Sequence, residues 1–173
     1  LSACNAPLIL VEAARRLLSR YSDLQVLVIG DGEMRPAVEE ALAGESRIRL
    51  LGFRSDVPQL LAGLDVFLFP NLWGGLGRSL TEALAVGLPV VAFPVNGVPE
   101  LVEDGVTGLH AQLGDARDLA DKAALLLESP ALAATLGVQG RRRVHEQFDV
   151  DTMVAQIEQM YLELIEACGL GRV

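Results

Sequence analysis

Residues 70–91 read PNLWGGLGRSLTEALAVGLPVV, and the order of residue types in this stretch sets the fold. The run before it, DVFLFP at 65–70, is apolar and short, as a strand buried on both faces requires. A loop with glycines at 74, 75 and 77 follows, then a helix through Leu80 to Ala85, then a second buried strand from Pro89 to Phe93. Strand, glycine loop, helix and strand in this order make one unit of a parallel sheet. The glycines let backbone approach a ligand closely and take positive φ. The first free N–H groups of the helix, from Gly77 through Arg78 and Ser79 to Leu80, then face whatever lies above the strand ends. Such an arrangement holds a phosphate with few cations, and open α/β sheets bind ligands in that crevice. The same loop also reads as a plain tight turn. Glu82 bears on the choice, since a carboxylate here either compensates charge at the surface or accepts bonds from two adjacent hydroxyls, such as those of a ribose.

Working outward, the same alternation continues in both directions. Residues 7–20 are a helix, with Pro7 in its first turn and Asn5 as its cap. LQVLVIG, ending at Gly30, is a buried strand. Glu33 to Ala43 is a helix that tolerates Pro36 in its first turn. Ile48 to Leu51 is a strand, and Ser55 or Asp56 caps a short helix through Leu61. Beyond the central stretch, Pro99 to Glu103 is a short helix and Gly108 to Ala111 a last strand. The fold class is therefore α/β, a parallel sheet wrapped by helices on both faces. From Asp115 the chain turns helical. Segments 115–128 and 129–148 precede a final helix with Val150, Met153, Val154, Ile157, Met160, Tyr161, Leu164 and Ile165 in one apolar stripe that needs a partner surface. One domain, residues 1–173, accounts for this pattern.

Composition agrees. Of 173 residues, 51% are hydrophobic and only 5% aromatic, so the core is aliphatic, as parallel strands under helices require. A formal net charge of -9 excludes nucleic acid as a general surface partner. An anionic ligand must then be met locally, by amides, a helix end and a few arginines. Cys4 and Cys168 match no metal or redox spacing and read as reduced cysteines of a cytoplasmic protein. No signal peptide is evident, and no apolar run reaches the ~18–20 residues of a membrane span. Leu1 opens the chain as if it were cut from a longer polypeptide. His110 and His145 lack ligand-spaced neighbours and read as structural. Arg141 to Arg143 read as a solvated face or as partners of nearby acids.

GLGRSLTEALAVGLPVVA, residues 75–92, resembles the signature of the family 4, group 1 retaining glycosyltransferases. The resemblance continues through NGVPE (96–100), EDGVTG (103–108), VIGDG (28–32) and LGFRSD (51–56), in order and over nearly the whole chain. It implies the GT-B fold, two Rossmann-like halves with the active site between them, of which this chain is the C-terminal, nucleotide-sugar-binding half. It also implies roles. The carboxylate matching Glu82 holds the donor ribose. The amides matching Gly77, Arg78, Ser79 and Leu80 receive the diphosphate, with Gly75 in the same loop. Arg78 either adds charge there or is an exposed arginine at a helix start. Phe53 and Arg54 lie against the base, or Phe53 is a core residue. Trp73 shapes the sugar pocket or caps the sheet edge. Gly30–Gly32 is a turn.

Two departures from the family pattern stand out. A second glutamate, eight residues before the ribose carboxylate, is replaced here by Gly74. The lysine of the Arg-Leu-x-x-x-Lys pattern that neutralises the leaving diphosphate falls at Asn5, its arginine lying before Leu1. The resemblance implies no cofactor beyond the nucleoside-diphosphate sugar and no obligatory metal. It implies an acceptor, whether glycan, lipid or small molecule, bound through the absent N-terminal domain, and a cytoplasmic place, peripheral to the inner membrane face at most. The altered positions keep open a catalytically degenerate nucleotide-binding module. An unrelated doubly wound binder such as an epimerase fits the 77–91 segment less well.

Overall fold

The computed structural model describes residues 1–169. Strand β4, Val90–Ala92, organises it, because apolar side chains fill both of its faces. Val91, with the following Phe93, packs in a cluster with Ala13 and Leu17 of α1 (Pro7–Arg20) and with Leu119, Ala123 and Leu126 of α6 (Ala116–Glu128). Val90 and Ala92 pack in another, with Leu80, Ala83 and Leu84 of α4 (Arg78–Ala85) and with Val98 and Leu101 of α5 (Val98–Leu101). Successive residues of a strand face opposite ways, so this alternation places helices on both sides, as the sequence predicts.

The strands pair with one another in parallel. β4 lies between β3 (Phe67–Phe69), with Phe67 opposite Val90, and β5 (Leu109–His110), with Val91 opposite Leu109. β1 (Val26–Ile29) and β2 (Ile48–Gly52) form a second set, with Val26 opposite Ile48. The sheet is thus hydrogen-bonded in two sets, and α1 joins them. Its Ala13 and Leu17 face the cluster of β4, while Val11, Ala14 and Leu18 pack with Val28 of β1, Ile48 of β2 and Val38 of α2 (Arg35–Ala41).

Helix ends show where local chemistry held and where it yielded. Asp115 caps α6 as expected, its carboxylate accepting from the amides of Arg117 and Asp118 at 2.8 and 3.1 Å. Asp56 precedes α3 (Val57–Leu61) without a side-chain cap, because its carboxylate is held by Arg54 at 2.8 and 2.6 Å. Asn5 does not cap α1. The residue before a proline is kept out of the right-handed helical region, and the chain enters α1 through Ala6 in the left-handed region, φ +43°. Asn5 instead ends a 3-10 turn, Ala3–Asn5, its Oδ1 accepting from Ser2 N at 3.2 Å and Ser2 Oγ at 2.7 Å.

α7 (Pro130–Gln147) packs back on α4, where Gly140 leaves room for Leu84. α8 (Val150–Ala167) differs from every other helix. Its residues Val150, Met153, Val154, Ile157, Met160, Tyr161, Leu164 and Ile165 are all exposed, and none of its residues is buried. The stripe expected from the sequence exists and is uncovered by the described residues. No helix among the described residues is long and apolar enough to cross a membrane.

Candidate functional site

The candidate site lies where β3 ends and α4 begins. Pro70 closes β3, and seven residues later Gly77 sits at the N-cap of α4 with φ +80°. Two constraints make this glycine necessary. The left-handed backbone is costly for any residue with a Cβ, and a Cβ here would come within 2.6 Å of Phe69 Cζ, the ring that ends β3. The loop is thereby drawn down onto the strand end, and the helix starts there. It starts at Arg78, two residues earlier than the sequence predicts.

That early start decides which amides are open. Leu80 N and Thr81 N turn back to Gly77 O, both at 3.1 Å. The amides of Gly77, Arg78 and Ser79 have no acceptor among the described residues. Leu80 serves the core instead, fully buried between β4 and α5. Three adjacent N–H groups at a helix N-terminus form a place for an anion. Arg78 is exposed and forms no ion pair among the described residues. Glu82, one turn further along α4, is half-buried, and its carboxylate has no hydrogen-bond or ion-pair partner among the described residues.

Two neighbouring segments reach this point. Leu72 N donates to Cys4 O at 2.8 Å, and Asn5 Nδ2 to Asn71 Oδ1 at 3.4 Å, so the segment before α1 borders the loop. Asn96 Nδ2 donates to Gly74 O at 2.6 Å from the turn after β4. Gly74 itself is exposed, with φ +145° and only Asn71 Nδ2 near the place a Cβ would take, at 3.9 Å. Trp73 is 54% exposed on the same loop.

The other candidates divide. Phe53 is 85% exposed and so is no core residue. Arg54 is engaged by Asp56, and that paired guanidinium, chiefly through its hydrogen bond, lowers the Asp56 pKa. The turn expected at Gly30–Gly32 falls just after it: Gly30 bridges Gly52, and Arg35 N donates to Gly32 O at 3.0 Å, while Asp31 accepts from the Gly32 amide at 2.9 Å and pairs with Arg35. His110 is structural, its Nε2 lying 2.8 Å from Val102 O. Arg143 and Arg142 meet Glu103 and Glu146, the acidic partners the charge pattern suggests. Asp149 caps α8, accepting from Asp151 N and Thr152 N. Cys4 and Cys168 are not bridged. Sequence reasoning passed over Asn71 and Asn96. An Asn-Gly pair after a strand signals a turn, but which way the Asn amide reaches is set by the loop opposite.

Comparison with known proteins adds a family and a scale. Residues 3–129 match the family described as Glycosyl transferases group 1. Over 166 residues, 94% of this chain and 43% of the relative, the chain is 30% identical to N-acetyl-alpha-D-glucosaminyl L-malate synthase of Bacillus anthracis. Its fold matches that of Anabaena Alr3699/HepE, solved in complex with UDP-glucose, with a TM-score of 0.85 and 29% identity, covering 94% of this chain and 46% of that one. It also matches the C-terminal domain of a glycosyl transferase group 1 family protein of Francisella tularensis, with a TM-score of 0.79, over 87% of this chain and 83% of that one. At 22% identity the last likeness is one of fold alone. The chain spans about two fifths of the length of the curated relatives it matches.

Proposed function

The chain belongs to the group 1 glycosyl transferases, and on that premise we propose that it is the donor-binding half of a retaining enzyme. That enzyme moves a sugar, of the hexosyl type, from a nucleoside-diphosphate sugar to an acceptor. One observation carries the proposal. The amides of Gly77, Arg78 and Ser79 stand open at the start of α4, and the unpartnered Glu82 follows one turn later. Amides, helix end and the exposed Arg78 meet a diphosphate, while a carboxylate at that spacing accepts bonds from two ribose hydroxyls. The likeness to a protein solved with UDP-glucose supports a uridine donor as the first to try. Phe53, exposed beside Arg54, offers an aromatic face to a base.

On this reading residues 1–173 are one donor domain, with the helices from about 115 onward as its C-terminal part. An N-terminal half binds the acceptor, and the open face of α8 lies partly against that half. The donor needs no obligatory metal, since amides and Arg78 take the diphosphate charge. The chain alone binds donor and transfers nothing. Its place is the cytoplasm, peripheral to the inner membrane face at most.

A second reading has its own observation. Gly74 carries no carboxylate, and Asn5, which carries no charge, gives its amide to Asn71. Preorganised charge at the leaving group is a large share of such catalysis, so a nucleotide-binding module without transfer also fits. Calorimetric titration with UDP, GDP and ADP tests the donor site. Saturable binding of one nucleotide supports it, and silence of all three at millimolar concentration contradicts it. Transfer of sugar by the longer protein, with the anomeric configuration read by NMR, separates enzyme from module.

A further inference from the structure

We infer that Asn96 is a positioning residue for the donor site, latching the Gly74–Leu76 loop so that the amides of Gly77 to Ser79 are held ready for a diphosphate. The inference rests on the donor-site reading above. The two glycines of this loop have little else to hold them. A Cβ at Gly75 would meet nothing within 4 Å, and one at Gly74 only Asn71 Nδ2. Two adjacent glycines give the backbone its widest freedom. Among the described residues, the bond from Asn96 Nδ2 to Gly74 O, at 2.6 Å, is the one hydrogen bond that residues 74–76 make.

The latch is anchored in rigid structure. Asn96 follows β4 and Phe93 and precedes Val98, and both Phe93 and Val98 are fully buried. Val98 N closes the turn on Val95 O at 2.9 Å. The turn lies directly on the loop, for a Cβ at Gly97 would come 3.0 Å from Leu76 Cδ1. Asn96 takes φ +47°, a region asparagine tolerates better than other non-glycine residues. The position therefore asks for two things at once, a left-handed backbone and a side-chain donor. Glycine supplies only the first. Aspartate keeps the shape and turns the donor into an acceptor facing a carbonyl. Held amides bind an anion without first being ordered, whereas a loose loop is competent only part of the time and weakens the apparent affinity by that fraction.

The test compares wild type, Asn96→Gly, Asn96→Asp and Glu82→Ala in the 173-residue chain, by backbone NMR order parameters without ligand, thermal unfolding and calorimetric titration with UDP. Asn96→Gly relieves the left-handed backbone, so its unfolding temperature stays at or above that of wild type. Its order parameters at 74–77 fall toward those of a flexible loop, and its UDP affinity falls about tenfold if the competent fraction drops to one tenth. Asn96→Asp shows the same loosening. Glu82→Ala weakens UDP with order parameters at 74–77 unchanged. Wild-type order parameters at 74–77 in Asn96→Gly overturn the inference, as does a looser loop with UDP affinity unchanged. UDP binding that is lost in Glu82→Ala but intact in both Asn96 variants overturns the inference and leaves the donor site standing. A wild-type chain blind to UDP, GDP and ADP overturns the donor-site reading and the inference with it.

Discussion

Thr107 and Glu82 are both polar residues set against the clusters around β4, and their surroundings differ in kind. Thr107 is 3% exposed, and its hydroxyl is fully used. It accepts from Glu103 N at 2.8 Å and donates to Leu101 O at 3.1 Å. Around it His110 N donates to Asp104 Oδ1, and the His110 ring meets Val102 O, both at 2.8 Å. This corner of the molecule answers its own polar groups, as buried groups must. Glu82 and the three amides before it are answered by nothing among the described residues. Unused donors and an unused acceptor lie together at one helix start, where the proposed site would hold its ligand. The polar groups at Thr107 close a turn and serve stability, whereas those at the start of α4 are left open to solvent.

Substitutions should separate the two corners. Gly77→Ala breaks both properties together, because the left-handed backbone and the Phe69 ring resist a Cβ. A loss of about 2–4 kcal/mol in urea unfolding is expected from strain and overpacking, with nucleotide binding lost as well. Full stability in that variant would mean that the loop is not drawn onto β3. Thr107→Val preserves shape and leaves Glu103 N and Leu101 O without partners. It should cost about 1–3 kcal/mol in the same measurement, while nucleotide affinity stays at the wild-type value. A parallel fall in affinity would show that the closed corner shapes the site, and the comparison would fail.

The smallest effect concerns pH. The hydrogen bond from Arg54 lowers the Asp56 pKa, and that from Arg47 lowers the Glu45 pKa. A carboxyl depressed by folding contributes stability that is present above its unfolded value and lost as pH falls through its folded one. Unfolding temperature should therefore fall modestly on acidification below the ordinary carboxylate range. Asp56→Asn should fall less steeply, since it has no such contribution to lose. These pairs are surface pairs, and surface pairs contribute little. An equal slope in Asp56→Asn would show that this pair contributes nothing.

The sequence was most legible where one local signal sufficed. Pro7 and the apolar period fixed α1, Asp115 announced α6, and the buried run at 89–93 marked the central strand with its two apolar faces. The glycine loop and Glu82 stood out as a candidate site because the helix start and the family pattern point to the same residues. What failed were features decided by distant chain. Asn5 lost its expected cap because Pro7 displaced the helix entry to Ala6 and left Asn5 beside Asn71, sixty-six residues away. The start of α4 moved to Arg78 because Phe69 draws Gly77 down, a packing fact between strand and loop. Whether Phe53 lies in the core or outside depended on which side of β2 the chain left, and apolar character alone does not say. Asn96 was visible as a turn, but its reach to Gly74 exists only once two loops meet.

Whether the start of α4 is a nucleoside-diphosphate site completed by Glu82 is read by calorimetric titration of the wild-type chain and Glu82→Ala with UDP, GDP and ADP. Saturable binding of one nucleotide is expected, weakened about tenfold or more by loss of a charge-assisted pair of hydrogen bonds, at an unchanged unfolding temperature. Equal affinity in both proteins would remove Glu82 from the site.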